Sequence, residues 1–101
     1  MTNETKLLLT IVAESSLEKS LCKDFEMLGA TGYTITSARG KGNRGHRDAD
    51  WDHNGNIRME IICNEDVASS IKQHVQKTYY DNFAMILYSF PVEVLRSEKF
   101  E

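Results

Sequence analysis

The chain has one proline, Pro91, one tryptophan, Trp51, and only two cysteines, Cys22 and Cys63. Two cysteines set far apart inside apolar patterns exclude a disulfide framework; both read as buried free thiols in a reducing compartment. No apolar run approaches the roughly 20 residues of a membrane-spanning helix. Positive charge is not in excess. Twelve Lys and Arg against fifteen Asp and Glu leave a net charge of −3, which argues against global attraction to nucleic acid or to an anionic membrane. The opening stretch, Met1-Thr2-Asn3-Glu4-Thr5-Lys6, lacks the basic start and cleavage site of a signal peptide. A cytoplasmic protein with no membrane insertion is the expectation.

What is present is ordinary globular composition, 41% apolar and 27% charged over 101 residues, which suits a single domain, 1–101. A domain this small hides a limited share of its surface, so self-association is a natural route to further burial. Leu7, Leu9 and Ile11 alternate within a strand over 6–13, with Leu8 and Val12 on the other face. Ser15 and Glu18 have capping-box spacing, and Leu17, Leu21, Phe25 and Leu28 form a helical stripe that Gly29 ends. A second strand is expected over 32–38. A third starts at Asn56, with Ile57, Met59 and Ile61 on one face. Asn64, Glu65 and Asp66 cap a second helix striped by Val67, Ile71, Val75 and Tyr79. A fourth strand is expected over 83–90, with Pro91 at its edge or end, and then a tail over 92–101.

This order, βαββαβ, is the ferredoxin-like arrangement: α+β, an antiparallel four-stranded sheet with two helices on one face. The second sheet face then carries Leu8, Ile35 or Thr34, and members of the 83–90 run. So much apolar surface calls for cover, most simply by copies of the same chain.

Between strands two and three lies a long loop, about 39–55, with four glycines and seven formal charges. Its first half is basic (Arg39, Lys41, Arg44, Arg47) and its second acidic (Asp48, Asp50, Asp52). Glycines that let backbone N–H groups approach, together with guanidinium groups, suit a phosphate. A solvated, flexible loop is the plainer alternative. Gly40-Lys41-Gly42-Asn43-Arg44-Gly45 matches G-x-G-x-x-G, but it leads to a strand and not to a helix. Asp50-Trp51-Asp52-His53-Asn54-Gly55 matches half an EF-hand loop, with Glu60 one residue short of the closing glutamate. Nothing fixes His46, His53 and the aspartates around a metal. Trp51 either packs on a neighbouring surface or anchors a partner, and His74 reads as a structural residue on the second helix. No nucleophile-base-acid spacing stands out, so no catalytic residue and no catalytic cofactor is expected.

Three stretches carry a resemblance over roughly residues 6–95: Gly29-Ala30-Thr31-Gly32-Tyr33-Thr34, Gly40-Lys41-Gly42-Asn43-Arg44, and Tyr79-Tyr80-Asp81-Asn82-Phe83-Ala84 with Val92-Glu93-Val94-Leu95. The chain resembles the PII superfamily of signalling proteins, in particular the PII-like proteins of the carboxysome-associated and SbtB types. The resemblance implies a homotrimer that binds an adenine nucleotide in its intersubunit clefts. It makes 39–55 the T-loop, with Ser37, Ala38, Arg39, Gly40, Lys41 and Gly42 at its base. Arg44 and Arg47 would reach phosphate. Glu60 and Ile62 would line the cleft, and Asn82, Phe83, Ala84 and Met85 of a B-loop at about 81–85 would face adenine and ribose. This B-loop has neither the glycine nor the lysine of typical PII proteins, and no uridylylated tyrosine is recognisable in the T-loop. AMP, ADP or a cyclic nucleotide therefore suits it better than ATP with 2-oxoglutarate. The cysteine-bearing extension of many SbtB-type proteins is also absent. That leans toward the carboxysome-associated type, with bicarbonate as a second ligand and a bicarbonate transporter or carboxysome-related protein as partner. The alternatives are a slow ATP/ADP phosphohydrolase, or an RNA-binding ferredoxin-like module whose strands would lack the usual aromatic pattern.

Overall fold

The computed structural model describes residues 4–42, 45–47 and 55–96. Strand β1 (Glu4–Glu14) leads through a single 3-10 turn, Ser15–Leu17, into helix α1 (Glu18–Met27). Strand β2 (Thr34–Ala38) is followed by two three-residue strands, β3 (Gly40–Gly42) and β4 (Gly45–Arg47), and by β5 (Asn56–Cys63). Helix α2 (Glu65–Thr78) and strand β6 (Ile86–Val94) complete the chain. The main sheet is antiparallel in the order β2-β5-β1-β6, which is the expected ferredoxin-like architecture.

Alternation decides the two faces. Leu9, Ile11 and Ala13 of β1 and Ile57, Met59, Ile61 and Cys63 of β5 are buried against Leu21 and Phe25 of α1 and Ala68, Ile71 and Val75 of α2. Ile35 pairs with Met59 and packs on this core, so Thr34, opposite Glu60, is the residue that joins the second face. That open face carries Leu8, Val12 and Ile62, with Ile86, Tyr88 and Phe90 of β6 at 46%, 46% and 49% exposure. Strand β6 is a sheet edge, where Pro91 opposite Leu7 costs little, because an edge position can dispense with an N–H.

The helix ends follow local chemistry. Asn64 Oδ1 accepts the Val67 N–H at 2.9 Å, the expected cap of α2. Gly29, at φ 105°, closes α1: its N–H reaches the Glu26 carbonyl at 3.3 Å and the Ala30 N–H reaches that of Phe25 at 3.0 Å. Ser15 caps nothing. Its N–H is held by the Gly55 carbonyl at 3.0 Å, which keeps it at the sheet end, and α1 starts at Glu18 without a side-chain cap. Strand β6 starts three residues later than expected and takes in Val92 and Val94 from the expected tail.

Cys63 is 3% exposed and burial pushes its thiol up to about 11, whereas Cys22 is half-buried and not buried as expected. Ellman's reagent at about pH 8 should therefore titrate one thiol per folded chain, and the second only after denaturation. Two fast thiols in the folded protein would show that solvent reaches Cys63.

Candidate functional site

The register sets where each expected residue sits. Ser37 and Ala38 end β2, Arg39 is exposed just beyond, and Gly40, Lys41 and Gly42 form β3. The expected loop is thus partly a hairpin, with Gly40 opposite Arg47, Lys41 opposite His46 and Gly42 opposite Gly45. Arg44, Trp51, the three aspartates and His53 lie outside the described residues. Ala38 pairs with Asn56 and Ile86 with Val12 next to the end of β1. Ser37–Gly40 and Asn82–Met85 are therefore at the same end of the sheet, but at its opposite edges. Three strand spacings, about 14 Å, separate β2 from β6.

Glu60 and Ile62 are half-buried on the open face, inside a hollow of about 300 Å³ completed by Leu8, Thr31, Gly32, Tyr33 and Thr34. Its lining is mixed: one carboxylate, two threonine hydroxyls, and the apolar Leu8 and Ile62. Such a surface can take a flat heterocycle and offer it a few polar partners. A second hollow, also about 300 Å³, lies between α2 and β6 among Lys72, Gln76, Tyr80, Leu87, Tyr88 and Ser89. A hollow of about 550 Å³ lies at the far end of the sheet by Thr5–Leu7 and Asn64–Asp66. It holds none of the expected residues, and its lining sets two carboxylates, Glu65 and Asp66, against one ammonium, Lys6. The smaller hollow at Glu60 is the one the sequence expectation meets.

The 82–85 segment is held from below. The N–H groups of Asn82 and Phe83 reach the Tyr79 carbonyl at 3.1 and 3.0 Å, and the rings of Tyr79 and Phe83 are 6.0 Å apart. The Tyr80 hydroxyl accepts the Leu87 N–H at 3.2 Å, which fixes where β6 begins. Burial, then the hydrogen bond to Asp24, pushes the Tyr79 hydroxyl up to about 12. Its proton therefore stays in place at ordinary pH. No group of three or more metal-ligating side chains occurs among the described residues.

Of the residues that line this hollow, sequence reasoning named Glu60 and Ile62 and left out Leu8 and Thr31–Thr34. The signal was there in Thr31-Gly32-Tyr33-Thr34, a stretch that carried the resemblance without any charge to mark it as a site.

The arrangement has counterparts. The family described as nitrogen regulatory protein P-II matches residues 6–99. A PII-like signaling protein from Thermus thermophilus is 48% identical, with 100% of both chains covered and a TM-score of 0.86. CPII, a nitrogen regulatory PII-like protein from Thiomonas intermedia solved with ADP, AMP and bicarbonate, covers 98% of this chain and 96% of its own. Its TM-score is 0.88 at 18% identity, a likeness of fold. GlnK of B. subtilis is more distant, at 10% identity, 88% and 86% coverage and a TM-score of 0.60.

Proposed function

This chain belongs to the nitrogen regulatory protein P-II family, and from that membership we propose that it is a homotrimeric PII-like signalling protein that binds ADP or AMP between subunits. The observation that carries the reading is the division of the site. The hollow at Glu60 lies by the β2 edge and the 82–85 segment by the β6 edge, so one chain cannot close both around a ligand. A second copy can, and the half-exposed Ile86, Tyr88 and Phe90 supply the surface on which copies meet. Adenine enters the hollow, and the phosphates run along β2 toward Ser37–Gly40 and the basic half of the loop. CPII binds ADP, AMP and bicarbonate, which supports the same ligands here. Through residues 39–55 the protein then regulates a partner in inorganic-carbon uptake or carboxysome function, and does no committed chemistry.

Light scattering at micromolar concentration should give three times the mass of the chain. Calorimetry should show ADP and AMP binding, with affinity changed by bicarbonate. A monomer, or a trimer that binds no adenine nucleotide, would overturn the reading.

A further inference from the structure

We propose that two carboxylates of α1, Asp24 and Glu26, position the two halves of the nucleotide cleft, each through a tyrosine hydroxyl; this deepens, and rests on, the reading above. Residues two apart on a helix point to opposite sides, since each residue turns the chain by about 100°. Between Asp24 and Glu26, the fully buried Phe25 fixes α1 to the core. The helix is thus a seated bar with one carboxylate toward each flank.

On one flank the Tyr33 hydroxyl donates to Glu26 Oε2 at 2.9 Å. Tyr33 is half-buried, packs on the core and lines the hollow, and it precedes Thr34 directly. The chain from Leu28 to Tyr33 is therefore tied at both ends to the last turn of α1: at the start by the Gly29 and Ala30 N–H bonds, at the end by Glu26. Hydrogen bonds with Cys22 and then Glu26 hold the Tyr33 hydroxyl protonated well above the usual tyrosine range.

On the other flank the Tyr79 hydroxyl donates to Asp24 Oδ2 at 2.5 Å, and His74 Nε2 meets the same oxygen at 2.9 Å. Tyr79 is buried, and its carbonyl holds the N–H groups of Asn82 and Phe83. Asp24 therefore fixes the residue from which the 82–85 segment hangs. Neither carboxylate lines the hollow at Glu60, so both act as positioning residues.

The test is calorimetry of ADP and of adenosine on the full chain, with hydrogen exchange beside it. Tyr33→Phe, Glu26→Ala, Tyr79→Phe and Asp24→Ala should each weaken ADP and adenosine by the same factor, about fivefold. Glu26→Gln and Asp24→Asn keep an acceptor oxygen and should recover affinity to within about twofold. Exchange should quicken at 31–34 only in the Tyr33 and Glu26 variants, and at 80–85 only in the Tyr79 and Asp24 variants. Should Asp24→Ala not fold, Tyr79→Phe, which removes one oxygen, reads the same link. Variants that bind as tightly as a binding wild type overturn the positioning roles and leave the nucleotide reading intact. A wild type that binds neither ligand overturns both.

Discussion

A chain carrying Tyr88→Asp and Phe90→Asp should remain folded, scatter light as a monomer, and bind ADP more than about a hundredfold more weakly than the wild type. Tyr88 lies opposite Thr10 and Phe90 opposite Leu8 on the open face, on the edge strand β6. Each is about half exposed in the single chain, so an aspartate at either position still reaches water and the fold survives. The proposed ring is another matter. Completing the burial of a large aromatic or aliphatic side chain is worth about 1 kcal/mol when half its area is already covered. Placing an unpaired carboxylate in the same interface costs several kcal/mol. Both changes act on all three copies. A monomer retains the hollow at Glu60 but meets no 82–85 segment from a neighbour, hence the expected loss of ADP. Circular dichroism checks the fold, and calorimetry the affinity. A double variant that stays trimeric, or a monomer that binds ADP as the wild type does, would separate the open face from the site.

The sequence was legible where one force acted alone. Alternation in β5 put Ile57, Met59 and Ile61 in the core, and Asn64 announced the start of α2. It misled where two local forces compete. Ser15 and Glu18 have the spacing of a cap, but β1 runs on through Glu14 and the Gly55 carbonyl takes the Ser15 N–H. Ile35 and Thr34 could not be told apart by pattern, because β2 is only five residues long and its register on β5 decides the face. The hairpin of β3 and β4 was hidden for a different reason. Backbone pairing builds it, and glycine and charge look the same in a ladder as in a loop. The cluster of Asp24, His74 and Tyr79 spans over fifty residues of chain, so no local spacing could reveal it.

Replacing Arg44 and Arg47 together by alanine should weaken ADP binding by about a hundredfold and leave adenosine within about threefold. Arg47 pairs by register with Gly40, so it stands beside the base of the loop at the end of β2. Arg44 lies outside the described residues, and its role rests on the family resemblance and on its charge. The two halves of a nucleotide ask for different chemistry. Adenine needs a shaped and partly apolar slot, such as the hollow of Leu8, Ile62 and Glu60. Phosphate needs charge-assisted hydrogen bonds, each worth about 1.5–3 kcal/mol, and guanidinium supplies them in pairs. Loss of about 1.4 kcal/mol per arginine gives tenfold each, and the product when both are removed. Salt offers an independent check. Charges that meet solvent are screened over about 10 Å at 0.1 M, so rising salt should weaken ADP more than adenosine in the wild type. In the double variant that difference should vanish. If ADP affinity and its salt dependence both survive the double substitution, the basic half of the loop is no phosphate clamp, and its charges serve the docking of a partner.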